Sequence, residues 1–145
     1  MLLNKKLLFH DQLPEDMQKI IKELKKSENK EACLLKAYNI LANKYRGQRG
    51  ATYTKLHHLA VSDINKLWAK QGFMHCTNIN YIMKLLLVRS GFFTENDIIA
   101  KWTHVWYISP HQYLKIKIKD NQYINIDIWA KIYGISFGDF AKGFH

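Results

Sequence analysis

The stretch His111–Trp129, "HQYLKIKIKDNQYINIDIW", alternates apolar and polar residues with a period of two. That period is typical of β-strands with one buried face, and its central letters, KDNQ, have the composition of a turn. The isoleucines of the stretch all stand at even-numbered positions: Ile116, Ile118, Ile124, Ile126 and Ile128. Because residues two apart on a strand point to the same side, the stretch predicts an antiparallel hairpin with one apolar face.

The isoleucines also predict the register of this hairpin. All five share one face only if the loop has an odd number of residues, such as Lys119, Asp120 and Asn121. In that register Asp127 lies opposite Tyr113 and diagonal to His111, with backbone positions about 7–8 Å apart. The side chains of His111 and Asp127 can therefore meet on the face opposite to the isoleucines.

The segments before the hairpin predict helices first and strands afterwards. Apolar residues recur at helical spacing over residues 14–26 and 31–45, and Gly47 is placed to end the second helix. A short third helix is predicted over residues 63–70, with Ser62 as its N-cap.

A fourth helix is predicted by "HCTNINYIMKLLLVRSG", which runs from the His75–Cys76 pair to Gly91. "DIIAKWTHVWYIS" then predicts another strand, which completes a meander over about residues 97–129. The order of elements indicates an α+β class. We expect a single domain of 145 residues, with a helical part over 14–90 and a C-terminal tail over 130–145.

Composition narrows the classes of function. The chain carries 22 Lys and Arg against 12 Asp and Glu, a net charge of +10, but the lysines are scattered along it rather than clustered. This pattern favours a solvated surface over a nucleic-acid site. The two cysteines, Cys33 and Cys76, form no disulfide framework, and the first residues lack the apolar core of a signal peptide. No run is long enough for a membrane helix, so we expect a cytoplasmic protein.

Cys76 stands directly in front of the fourth helical pattern. If the helix begins there, its free N–H groups and the positive end of its dipole lie beside the sulfur and favour the thiolate. A cysteine nucleophile also needs an imidazole to take its proton and an acceptor to orient that imidazole. His111 and Asp127, which the predicted hairpin brings together, can supply both. The sequence thus predicts a catalytic site of Cys76, His111 and Asp127, without metal or other cofactor.

The order and context of these residues resemble the transglutaminase-like cysteine hydrolases of the papain-like class. The matching elements are "HCTNINYIMKLL", "HQYLKIKI" and "YINIDIW", within about residues 63–129. The resemblance implies a papain-like fold whose nucleophile helix packs on an antiparallel meander. It also implies Cys76 as the nucleophile, His111 as the general base and later acid, and Asp127 as the residue that orients the imidazole. Tyr113 replaces the usual Trp after the His, and Ile128 stands where Pro is common.

Each of these residues has a competing interpretation. Cys76 could be a small buried hydrophobe. His104, in "THVWYI", also precedes an aromatic residue by two positions and is the rival base. His75 and Cys76 could instead form a zinc site that His111 and Asp127 complete, although adjacent side chains rarely converge at a helix start.

Other reactive or charged residues have simpler explanations. Cys33 lies in the apolar stripe of the second helix and is predicted to be structural. His57 and His58 are interpreted as surface or interhelical residues. The polar face of the hairpin is either solvated or attractive to an acidic substrate, and its lysines are Lys115, Lys117 and Lys119.

Together these features predict a thiol-dependent amide or peptide hydrolase that acts through a thioester, with a peptide or amide-bearing substrate. A transglutaminase-type acyl transferase, a non-catalytic binding module and a basic nucleic-acid-binding domain are the alternatives. The oxyanion would be held by the Cys76 backbone N–H and by a side chain from Gln71 or Trp68. The predicted walls of a substrate groove are Tyr53, Trp68 and Trp129.

Overall fold

The computed structural model describes residues 12–48, 51, 55, 63–106 and 108–143, and within them the chain has the predicted mixed α+β class. The helices are α1 (Glu15–Lys25), α2 (Lys30–Lys44), α3 (Ile64–Ala69) and α4 (Cys76–Arg89). The strands are β1 (Tyr45–Arg46), β2 (Gly72–Phe73), β3 (Ile98–Val105), β4 (Ser109–Lys119) and β5 (Gln122–Ile126). Strands β3, β4 and β5 form an antiparallel meander in chain order, and β1 pairs with β2 in parallel.

The helices lie close to their predicted positions because their apolar stripes face the core. In α1 the buried residues are Met17, Ile21 and Leu24. The buried stripe of α2 includes the predicted Leu34, Tyr38 and Leu41. α4 begins at Cys76, as predicted, and Gly91 follows its C-cap with a positive φ of 84°.

Two predictions about helix ends are wrong. α2 ends at Lys44 because Tyr45 is already extended, with φ −125° and ψ 152°, and begins β1. Gly47 therefore does not end the helix; its N–H donates to the carbonyl oxygen of Trp129 over 3.0 Å. Asp63, not Ser62, is the N-cap of α3, and its Oδ1 accepts from the Asn65 N–H over 2.9 Å. Ser62 itself lies outside the described residues.

The register predicted from the isoleucines is confirmed in the body of the hairpin. Leu114 pairs with Ile126, and the same register continued by one residue places Asp127 opposite Tyr113. Ile124 is half-buried and the other four isoleucines are buried. The apolar face is therefore the face that meets the helices.

The turn and the strand ends differ from the prediction. A β-bulge between Lys117 and Lys119 supplies the odd residue, so the loop consists of only Asp120 and Asn121, the latter at φ 59°. β3 ends at Val105 rather than at residue 109. β5 ends at Ile126, so Asp127 follows the third strand instead of standing in it.

The core joins the helical half of the chain to the sheet. α4 contacts both α2 and β4, and its side chains are buried on most sides, from Ile79 to Leu87. Cys33 is fully buried in the same core, in agreement with its predicted structural role. Among the described residues, no helix combines the length and the apolarity that a membrane span requires.

Candidate active site

Cys76 is presented at the N-terminus of α4 by a short extended segment. The Met74 N–H donates to the Arg46 carbonyl over 3.1 Å, which extends the β1–β2 pairing toward the helix. His75 is extended at the N-cap, with φ −64° and ψ 147°, and has no side-chain cap bond. Cys76 is only partly buried, so its sulfur is accessible in a way that the Cys33 sulfur is not.

His111 and Asp127 meet as the strand register predicted. His111 Nε2 lies 2.7 Å from Asp127 Oδ2, and each residue is only 2% exposed. His111 is on β4, and Asp127 comes directly after β5, the neighbouring strand. A carboxylate acceptor at this nitrogen fixes Nε2 as the protonated one and leaves Nδ1 as the nitrogen that can face another partner.

The other neighbour of the imidazole is Cys76, which lies close enough to raise the pKa of His111. Burial lowers the pKa of His111, but the hydrogen bond with Asp127, the interaction with the Cys76 side chain and the charges of these two groups outweigh it. The pKa of His111 is raised from the ordinary 6.5 to about 9. The imidazole is therefore cationic at neutral pH. The structure thus brings together all three predicted residues.

The Asp127 carboxylate has two further donors. The Ala130 N–H donates to Oδ1 over 3.2 Å, and the Ala141 N–H donates to Oδ2 over 2.9 Å. The first donor lies in the turn that follows β5, whereas the second comes from the C-terminal tail. We call residues 136–143 the C-terminal strap, because this segment crosses the sheet at the site.

The aromatic ring of Trp129 covers the imidazole. The two ring centroids are 5.0 Å apart, and Trp129 also packs on Tyr133 at 5.5 Å. Gly47 lies against the other side of Trp129, where a Cβ would overlap both the indole ring and the Trp129 carbonyl oxygen. Gly47 is thus required by close packing rather than by helix termination.

Asn80 fixes the helix that carries Cys76 to the strand that carries His111. It lies one turn after Cys76, on the same side of α4. Its Nδ2 donates to the Gln112 carbonyl over 3.0 Å and to Gln112 Oε1 over 3.2 Å, and Asn80 is 4% exposed. Because Gln112 follows His111 directly, this pair sets the distance between the thiol and the imidazole.

We expect Asn80→Ala to lower the free energy of unfolding by about 1–3 kcal/mol, since it removes both hydrogen bonds from the buried Asn80 amide to Gln112. Alkylation of Cys76 by iodoacetamide at pH 6.5 should also slow severalfold. Urea denaturation and mass spectrometry measure the two effects. Asn39→Ala, at an exposed position of α2, is the control and should change neither; equal effects in both variants would contradict a positioning role for Asn80.

The other two histidines considered for the site, His104 and His75, lie in different surroundings from His111. His104 is exposed on β3 and pairs with Pro110, so it does not take the place of His111. His75 is buried, and its Nε2 lies 2.9 Å from the Lys55 carbonyl oxygen. Within the residues described, no group of three or more His, Cys, Asp or Glu side chains is arranged to hold a metal ion.

The two candidates for a second oxyanion donor differ in environment. Gln71 is exposed, whereas Trp68 is buried and packs edge-on against Tyr45 with ring centroids 6.5 Å apart. In the described part of the chain, the Trp68 indole N–H has no hydrogen-bond partner. His57, His58 and Tyr53 lie outside the described residues.

Sequence reasoning missed Asn80, Gly47 and the C-terminal strap. One signal was present for the first: Asn80 is a polar residue one helical turn after Cys76. The strap gave no such signal. It contacts the site through single backbone hydrogen bonds and one ring stack, and such contacts leave no periodic pattern in the sequence.

The chain was compared with models of protein families, with curated proteins and with solved structures, and none of the three comparisons gave a match.

Proposed function

We propose that this protein is a thiol-dependent amide or peptide hydrolase with a papain-like arrangement of its site. One observation carries the proposal: the His111 imidazole is hydrogen-bonded to the buried Asp127 carboxylate and lies beside Cys76, which helps to raise its pKa. The order of elements also supports it, because a cysteine opens a helix packed on an antiparallel sheet that supplies the His and then the Asp.

In the first half-reaction the Cys76 thiolate attacks the carbonyl carbon of an amide and forms a C–S bond. The oxyanion that results is placed near the first turn of α4, where backbone N–H groups have no partner within the helix. The His111 imidazolium then gives its proton to the amide nitrogen as the C–N bond breaks. A free amine leaves, and the acyl group remains on Cys76 as a thioester.

In the second half-reaction water attacks the thioester. The imidazole of His111 takes the proton of that water, the C–S bond breaks, and the carboxylic acid leaves. The imidazolium and the thiolate are then restored. Asp127 takes no proton in this cycle; it orients the imidazole and stabilises its cationic form.

Hydrolysis is favoured over acyl transfer because an amine acceptor needs walls that keep water from the thioester. Few segments of the described chain are available to form such walls. The strap is already packed on the sheet through Phe140 and on α2 through Phe137. Little of the described chain therefore remains to form a lid over Cys76.

The test is to incubate the protein with a library of peptides and amide-bearing compounds, with and without excess primary amine, and to identify products by mass spectrometry. We expect free acids that persist in excess amine and disappear in Cys76→Ala, with a loss of at least about a thousandfold. Amine adducts as the main product would indicate an acyl transferase. Absence of turnover with every amide would instead favour a non-catalytic binding module.

A further inference from the structure

The C-terminal strap is held in place by contacts with three strands and a helix. Phe137 packs edge-on against Tyr38 of α2, with ring centroids 5.1 Å apart. The Gly138 N–H donates to the Asn125 carbonyl of β5 over 3.1 Å, and the Gly143 N–H donates to the His104 carbonyl of β3 over 3.0 Å. The strap therefore runs from one edge of the meander to the other.

Between these two edges the strap passes over β4 at the site. The Phe140 ring stacks on the Tyr113 ring, with centroids 4.0 Å apart and planes only 7° from parallel. Tyr113 lies two residues after His111 and on the same face of the strand. The stack thus ties the strap to the strand that carries the imidazole.

The next residue of the strap reaches Asp127. The Ala141 N–H and His111 Nε2 both bond to the same oxygen, Oδ2, at 2.9 and 2.7 Å. Rotation of a carboxylate about its last torsion angle is otherwise weakly restricted. A second donor on Oδ2, together with the Ala130 N–H on Oδ1, fixes the plane of the carboxylate in the orientation that meets the imidazole.

We propose that the strap is a positioning element of the active site, in which the Phe140–Tyr113 stack holds the Ala141 N–H against Asp127 so that the carboxylate orients His111. Ala141 and Phe140 act through Asp127 and touch no reacting atom. The inference rests on the proposed function for its catalytic consequence, but its geometry can be measured without any substrate.

The direct test is Ala141→Pro, which removes one N–H donor. Two readouts are used: the rate of Cys76 alkylation by iodoacetamide between pH 5 and 9, and the NMR titration of the His111 imidazole. We expect alkylation at pH 6 to fall by about tenfold, the order expected for loss of a hydrogen bond to a charged group. The pKa of His111 should decrease. Asp127→Asn should decrease it in the same direction and by a larger amount.

Ala141→Gly is the matched control, since it keeps the N–H donor at this position and removes only a methyl group. It should leave both readouts close to wild type. A folded Ala141→Pro protein with an unchanged pH profile, or an equal change in Ala141→Gly, would overturn the inference. A purely structural role for the strap would lower stability without moving the imidazole titration of the folded protein.

If Ala141→Pro does not fold, Phe140→Ala takes its place, with Phe140→Tyr as the conservative variant that retains a stacking ring. We expect the alanine variant to shift the His111 titration to lower pH and the tyrosine variant to restore it; no shift in the alanine variant would overturn the inference. Because neither readout requires turnover, a shifted titration in a protein that hydrolyses no amide would support the strap and reject the hydrolase.

Discussion

Iodoacetamide at pH 6 should alkylate Cys76 roughly a hundredfold faster than Cys33, because only Cys76 is partly exposed and lies beside an imidazolium at a helix N-terminus. Cys33 is fully buried, and burial raises the pKa of its thiol. Replacement of His111 by Asn should remove most of this advantage. Peptide mapping by mass spectrometry over a time course gives the two rates from a single sample.

The matched control for His111→Asn is His104→Asn. His104 lies on the same sheet but is exposed, and its side chain is not part of the site. We expect it to leave the Cys76 rate unchanged. Equal alkylation of the two cysteines in the wild type, or equal slowing by the two histidine variants, would show that Cys76 is an ordinary structural thiol.

The advantage of Cys76 should also depend on pH in a defined direction. The pKa of His111 is raised to about 9, so the imidazole keeps its proton below that value and loses it above. The ratio of the two rates should therefore be largest in acid to neutral solution and should decrease as the pH passes about 9. In His111→Asn this dependence should disappear, and the Cys76 rate should follow the simple titration of an unassisted thiol.

The hairpin and the helix that begins at Cys76 could be predicted because their signals are periodic. Five isoleucines at even positions allow few registers when one face must be buried, and a shift of one residue would expose all of them. That constraint alone predicts that Asp127 lies within reach of His111. The start of the helix at Cys76 could be predicted for a similar reason. The apolar pattern begins directly after Cys76, and Gly91 marks the end of the helix.

The strap could not be predicted in the same way. Its contacts with β5, with Asp127 and with β3 are single backbone hydrogen bonds, each made by a different residue. Between them lies one aromatic stack, in which Phe140 packs on Tyr113 of β4. Such contacts depend on where the completed sheet ends, and hydrophobic periodicity carries no information about that position.

Gly47 was misinterpreted for a related reason. A glycine shortly after a helical pattern is usually a C-terminal stop, because it adopts a positive φ without strain. Here the chain enters β1 before it reaches Gly47, which is not among the glycines of positive φ. Its importance lies in the approach of Trp129, a residue far along the chain, and this contact exists only after both halves have folded.

Gly47→Ala should therefore disturb the fold and the site together. The added Cβ would overlap the Trp129 indole and its carbonyl oxygen, and it would strain the hydrogen bond between that oxygen and the Gly47 N–H. Overpacking of this kind costs about 1–3 kcal/mol, and the backbone oxygen cannot move as easily as a side chain. Because Trp129 packs on His111, we also expect slower alkylation of Cys76 at pH 6.

Gly91→Ala is the control that separates this steric effect from the effect of replacing any glycine by alanine. Gly91 follows the far end of α4 and has a φ of 84°, and in the described part of the chain no non-neighbouring group lies within 4 Å of where its Cβ would be. Its replacement should lower stability by about 1 kcal/mol through backbone strain alone and leave the Cys76 rate unchanged. If Gly47→Ala behaved in the same way, the Trp129 ring would not be what holds His111 in place. If only Gly47→Ala slowed alkylation, the packing of Gly47 against Trp129 would be part of what keeps the imidazole beside the thiol.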